Sequence, residues 1–153
     1  MPPSDRRECH DLAVVPGAGA DSLAAVAVTG VQVLSLPVSD QDRARDFYVD
    51  VLGLELLRDA EMQPGLRWVQ VAPRGAATTI TLVTWFDSMP AGSNRGLVLE
   101  TDDLEGDVER LGALGVAIPD GIQQQPWGRF ATFSDPDGNG LVLQATRARR
   151  PTG

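Results

Sequence analysis

No lysine occurs in this 153-residue chain, and histidine and cysteine occur once each. The single copies, His10 and Cys9, stand near the start, so from Val31 to Gln144 there is no imidazole, thiol or amine side chain. Chemistry that needs one of those groups is excluded over that stretch. One cysteine cannot close an internal disulfide, which fits a reducing cytoplasm and leaves the thiol a bystander. No apolar run is long enough to span a bilayer, and the run at 23–28 falls far short. Residues 1–11, with Arg6, Arg7, Glu8 and Asp11, do not read as an export signal. Acidic residues outnumber basic ones by 21 to 13, and the net charge of −8 argues against a nucleic-acid partner, which requires a basic face. The arginines at 147–150 read as a solvated fringe. The expectation is a cytoplasmic protein that engages neither membrane nor nucleic acid and tolerates neutral or cationic ligands.

What is present suits one globular domain, since 153 residues at 42% hydrophobic and 22% charged give a core but no room for a second. Residues 1–30, rich in Pro, Gly, Ala and Ser, read as a flexible extension with a short edge strand near 24–28. The working domain starts at Val31. Residues 31–36 alternate and stop at Pro37. Ser39 or Asp40 then caps a helix whose Ala44, Phe47, Tyr48, Val51 and Leu52 share one stripe, ended by Gly53. Strands are predicted at 54–58, 65–71 and 78–85, with breaks at Pro64-Gly65 and at Pro73 and Gly75.

The pattern then recurs. A strand at 96–101 leads to a cap at Asp102 or Asp103 and a helical stripe of Leu104, Val108, Leu111 and Leu114, closed by Gly115. Strands follow at 116–118, 129–133 and 140–144. Leu52-Gly53-Leu54 and Leu114-Gly115-Val116 lie 62 residues apart (114 − 52). Asp135-Pro136-Asp137-Gly138-Asn139 reads as a tight turn, with Pro136 at i+1 and Gly138 at a positive φ, and lacks the later ligands of a calcium loop. The chain is therefore βαβββ written twice, an α+β fold of modules 31–85 and 95–146 whose sheets share a core, with 147–153 as a tail.

Strand alternation assigns faces. The aliphatic pairs Leu34/Leu36, Ile80/Leu82, Leu97/Leu99 and Leu141/Leu143, with Val69 and Val71, belong to the side covered by the helices. The opposite side carries Val33/Ser35, Thr79/Thr81, Gly96/Val98/Glu100, Val142/Gln144, Trp68 and Gln70, a mixed and polar set suited to a cavity. Phe130 and Phe133 have opposite parity, so the phase of their strand stays open.

Leu36-Pro37-Val38-Ser39-Asp40, Phe47-Tyr48, Val51-Leu52-Gly53-Leu54, Arg67-Trp68-Val69, Thr101-Asp102-Asp103-Leu104 and Phe133-Ser134-Asp135-Pro136-Asp137-Gly138-Asn139 together resemble the vicinal-oxygen-chelate superfamily. That group includes glyoxalase I, the extradiol dioxygenases and the bleomycin- and fosfomycin-resistance proteins. The resemblance covers Val31 to Gln144. It implies paired βαβββ modules in one U-shaped, barrel-like mixed sheet with helices outside, and a homodimer. It also implies metal ligands, His or Glu, at positions that fall here on Val33, Thr81, Gly96 and Val142. Two valines, a glycine and a neutral hydroxyl do not supply the donors of a catalytic divalent ion, so no metal or other cofactor is expected.

The remaining candidates describe a small-molecule pocket. Trp68, with Trp127, can stack on a planar or cationic ligand. Ser35, Gln70, Thr79, Thr81 and Gln144 can orient it through hydrogen bonds. Glu100 is the one acid on the cavity side, and burial would suit it to general-base work. Glu8, Cys9, His10 and Asp11 form a local cluster fit only for adventitious metal. The expected function is metal-independent binding of a small molecule, like the superfamily's drug-sequestering members. The rival is an enzyme, either a metal-dependent glyoxalase-like lyase or dioxygenase, or a metal-free isomerase using Glu100.

Overall fold

In the computed structural model, which describes residues 25–146, the first strand β1 (Val33–Pro37) is followed by helix α1 (Gln41–Asp46). Asp40 is the cap, its carboxylate accepting from the Arg43 N–H. The helix runs on into a π turn over Phe47–Val51, where the Leu52 N–H reaches back to the Phe47 carbonyl at 3.0 Å. Strands β2 (Glu55–Gln63), β3 (Leu66–Ala72) and β4 (Thr79–Val83) complete the module. The second module repeats it with β5 (Leu97–Glu100), α2 (Leu104–Ala113), β6 (Gln123–Gln125), β7 (Gly128–Ser134) and β8 (Gly140–Thr146). Asp103 is its cap.

The π turn is a length difference made visible. From cap to closing glycine the modules are offset by 63 residues at Asp103/Asp40 and by 62 at Gly115/Gly53, so the first helix carries one extra residue. An α-helix absorbs such an insertion as a single π turn. Both glycines sit at positive φ, 76° and 86°, where a side chain would be strained.

The α+β class and the two βαβββ modules are those expected, but the strands form two four-stranded sheets, β1-β4-β3-β2 and β5-β8-β7-β6, not closed into a barrel. In each, the outermost first strand is parallel to the last and the rest are antiparallel. Leu36, Val69, Val71, Ile80 and Leu82 of one sheet and Ala131, Phe133, Leu141 and Leu143 of the other join Ala44, Phe47, Tyr48, Leu104 and Leu111 of the helical segments in one buried cluster. Covering these side chains supplies the main driving force for folding.

Four local expectations are corrected. The edge strand near 24–28 is not formed: Ala25–Val28 lie in no strand and are exposed. Nor is there a strand at 116–118, because the Val116 N–H is spent on the Leu111 carbonyl (2.9 Å) to close α2 and Pro119 has no N–H to offer a ladder. The second strand of that module is the polar Gln123–Gln125 instead. Leu34, assigned to the covered side, is 46% exposed because β1 is a sheet edge, and Leu114 at the α2 terminus is 58% exposed.

The turn at 135–139 joins the modules. Asp135 Oδ1 accepts from the N–H groups of Asp137 and Asn139, each at 2.9 Å, and Gly138 takes φ 94°. Asp135 Oδ2 accepts from the buried Tyr48 hydroxyl at 2.8 Å and from Asn139 Nδ2 at 2.8 Å. Asn139 Nδ2 also donates to the Pro37 carbonyl, and Ser39 and Arg43 bond Asp137. Burial and the Asp135 charge push the Tyr48 phenol far above its ordinary range, so it stays a donor.

Candidate functional site

The registers place Val33, Ser35, Trp68, Gln70, Thr79 and Thr81 together on the first sheet, on the side away from the buried cluster. Three of them form a hydrogen-bonded relay. Trp68 Nε1–H donates to Gln70 Oε1 (3.0 Å), Gln70 Nε2 donates to Thr79 Oγ1 (2.7 Å), and that hydroxyl donates to the Gln32 carbonyl (3.1 Å). The relay holds the half-buried indole in one orientation. Trp85, just past β4, stacks on it with ring centroids 6.2 Å apart and planes 25° from parallel, and Phe86 follows at 5.9 Å from Trp85. Beside this wall the Thr81 hydroxyl is only 1% exposed and has no hydrogen-bond partner. Burying a hydroxyl unpaired costs free energy, which an occupant of this face could recover.

The second sheet carries the other candidates. Val98 pairs with Val142 and Glu100 with Gln144, while Phe130 and Thr132 of β7 stand opposite Gln144 and Val142. This fixes the open phase: Phe130 joins the candidate face, and Ala131 and Phe133 go to the core. Trp127, 51% exposed, stacks on Phe130 at 5.3 Å and 17°. Gln144 Nε2 reaches Thr146 Oγ1 at 3.5 Å. Glu100 is exposed at the end of β5, so the burial that would fit it for general-base work is not there.

The candidate residues thus fall into two groups on two sheets, Ser35, Trp68, Gln70, Thr79 and Thr81 on one and Glu100, Trp127 and Gln144 on the other. Sequence reasoning missed Trp85, Phe86 and Phe130 as aromatic partners. The 62-residue repeat offset carries Trp68 to Phe130 and Gln70 to Thr132, so Phe130 was open to discovery by superposing the modules.

Three cavities border these faces and the core. One of about 580 Å³ lies at the end of the second sheet against the 115–119 loop and touches Thr132 and Val142. A second, about 500 Å³, separates the C-terminal ends of the two helical segments. A third, about 180 Å³, lies between β1 and the start of β5 and includes Ser35.

Of the four positions where the resemblance implies metal ligands, Val33, Gly96 and Val142 offer no side-chain donor. Thr81 offers a neutral hydroxyl on a different sheet from Gly96 and Val142. That set does not fit a divalent ion held by side chains. No group of three or more His, Cys, Asp or Glu side chains forms a candidate metal cluster among the described residues. The Glu8, Cys9, His10 and Asp11 cluster lies outside them.

Residues 30–143 match the Glyoxalase/Bleomycin resistance protein/Dioxygenase superfamily. The chain belongs to this superfamily. Among solved structures it is similar to TnmS3, an antibiotic binding protein from Streptomyces sp. CB03234, with 52% identity and a TM-score of 0.76 over 80% of this chain and 99% of that one. A glyoxalase/bleomycin resistance protein from the same organism shares 53% identity and a TM-score of 0.69, over 75% of this chain and 99% of the other. The uncharacterized protein YetH of Bacillus subtilis (strain 168) is 32% identical over 117 residues, 74% of this chain and 96% of that protein. Among the described residues no helix is long and apolar enough to cross a membrane.

Proposed function

We propose that this chain is a cytoplasmic, metal-independent binding protein for an aromatic small molecule of the antibiotic class, acting by sequestration. The observation that carries the reading is the Trp68–Trp85 wall beside the unpartnered Thr81 hydroxyl, on a sheet whose two implied ligand positions, Val33 and Thr81, bring no imidazole or carboxylate. A π wall and an uncommitted hydroxyl suit a flat ligand bearing a hydrogen-bonding group. The likeness to an antibiotic binding protein at 52% identity supports the ligand class. Ser35, Trp68, Gln70, Thr79 and Thr81 form one wall of the proposed site, and Glu100, Trp127 and Gln144 with Phe130 form the other.

Because the walls lie on separate sheets, we infer a homodimer that apposes the first-module face of one subunit with the second-module face of its partner. Exposed apolar residues on the edge strands, Leu34 of β1 and Val98 of β5, support this arrangement.

The test uses protein purified without an affinity tag and stripped with EDTA, screened by thermal shift against bleomycin and flat aromatic antibiotics. A ligand at about a hundred times its dissociation constant adds about 2.7 kcal/mol of stability. A hit that quenches tryptophan fluorescence, survives EDTA and weakens on Trp68→Ala supports the reading. Stoichiometric Zn, Ni, Fe or Mn in untreated protein, with binding lost on stripping, overturns metal independence. Sedimentation as a monomer overturns the dimer.

A further inference from the structure

We propose that the cavity of about 580 Å³ at the end of the second sheet is a separate site for a small apolar carboxylate, with Arg95 as the residue that selects its charge. The cavity lies away from the Trp68 wall, although its rim includes Gly96 and Val142 of the implied ligand positions, and its occupancy does not require the Trp68 wall to bind anything.

Arg95 stands just before β5 and is braced on one side only. Its Nη1 donates to the carbonyls of Gly92 (2.6 Å), Asn94 (2.8 Å) and Gly138 (2.8 Å). Among the described residues no acceptor bonds its Nε or Nη2. Among the described residues Arg43, Arg45, Arg67, Arg74, Arg110 and Arg129 each have a carboxylate partner, whereas Arg95, like Arg58, has none; of these two only Arg95 borders the cavity and is fixed through backbone carbonyls. The stem is also given room: a Cβ on Gly140 would lie 2.8 Å from Arg95 Cδ. The Nε/Nη2 edge of a guanidinium is the fork that a carboxylate meets with two parallel hydrogen bonds, and an arginine already fixed through Nη1 loses little freedom in making them.

The rest of the lining favours an apolar body on that carboxylate. Phe47, Val116, Pro119, Phe133 and Val142 border the space. Asp135 also borders it, but each of its oxygens already accepts two hydrogen bonds. The volume is in the range of clefts that take small-molecule ligands.

The experiment compares 2-naphthoate with its neutral isostere 2-naphthamide by calorimetry and by amide chemical shifts on the full chain. Naphthoate is expected to bind about tenfold tighter than the amide, since a bidentate charged contact replaces a neutral one. Its shifts should centre on Gly96, Val116 and Gly140. Arg95→Gln should bring the two affinities within about twofold. Gly140→Ala, which crowds the arginine without removing it, should reduce the preference, and Trp68→Ala should leave it intact. Equal affinity for the two probes, a preference that survives Arg95→Gln, or shifts centred on Trp68 and Phe130 would each overturn the proposal. An amide spectrum matching the parent's confirms that a lost preference in either variant is not lost folding.

Discussion

Removing the Tyr48 hydroxyl tests whether one buried hydrogen bond holds the two modules in register. Tyr48 is 0% exposed, and its hydroxyl reaches Asp135 Oδ2 at 2.8 Å across 87 residues of sequence. Hydrogen bonds to charged groups contribute about 1.5 to 3 kcal/mol, and a buried acceptor that loses one of two donors keeps part of that. Tyr48→Phe, which preserves the ring and its packing on Phe47, is therefore expected to cost about 2 kcal/mol. Asp135→Asn should cost more, about 3 kcal/mol, because every group bonded to that carboxylate is a donor and the amide NH2 would face two of them. The two losses should not add: in the double variant the phenol no longer opposes the amide, and the total should fall short of the sum by about 1 kcal/mol. Urea unfolding followed by circular dichroism, at one fixed protein concentration, gives all three values. A Tyr48→Phe cost below about 0.5 kcal/mol, the range of a neutral surface change, would refute the reasoning.

Three shorter expectations follow from other parts of the molecule. Thr81→Val removes a buried hydroxyl that has no partner, so it should stabilise the free protein by about 1 kcal/mol while weakening whatever ligand the Trp68 wall binds; melting and titration of one sample read both. Leu82→Ala in the shared cluster should cost about 2 to 5 kcal/mol, whereas Gln70→Ala on the opposite face should cost under about 1 kcal/mol, because Thr79 Oγ1 keeps the Gln32 carbonyl. Asp59 is held at about 2, below its ordinary 3.8, chiefly by the Arg67 hydrogen bonds and then by Arg45. Its folded-state value is depressed, so its stabilisation is present above about pH 4 and is lost as pH falls toward 2. The three side chains are partly exposed, which limits the effect to about 1 kcal/mol after screening; Asp59→Asn should flatten that part of the acid limb of the stability curve.

The fold was legible because its signals are periodic. Caps at Asp40 and Asp103, closing glycines at 53 and 115, and aliphatic pairs two apart recur with the same spacing, and each has a local physical cause. What the sequence hid were features without a period. Gln123–Gln125 has no apolar alternation, so the strand that covers β7 was invisible, and the apolar residues of 116–118 suggested a strand where the backbone closes a helix. The site was legible by face and not by assembly. Parity put Ser35, Gln70 and Thr81 on one side, yet nothing in parity reveals that Glu100 and Gln144 belong to a different sheet. Arg95 carries no motif at all; its distinction is a guanidinium fixed to three backbone carbonyls at the rim of a cavity, which only the folded chain displays.

The two faces of each sheet answer to different constraints, and this explains how the fold can tolerate change at the positions where the resemblance implies ligands. In β4, Ile80 and Leu82 enter the shared cluster while Thr79 and Thr81 turn away from it; in β8, Leu141 and Leu143 do the same against Val142 and Gln144. Changes at the first set leave cavities in a packed interior and cost several kcal/mol each, about as much as a marginally stable domain can lose. Changes at the second set, where Thr79 and Thr81 are buried outside the apolar cluster and Val142 and Gln144 are partly exposed, alter hydrogen bonding and shape without opening a void in that cluster. Strand alternation therefore separates stability from ligand chemistry residue by residue. A valine at position 33 or 142 and a hydroxyl at 81 can stand where donors are expected while Leu36, Leu82 and Leu141 continue to hold the sheets together.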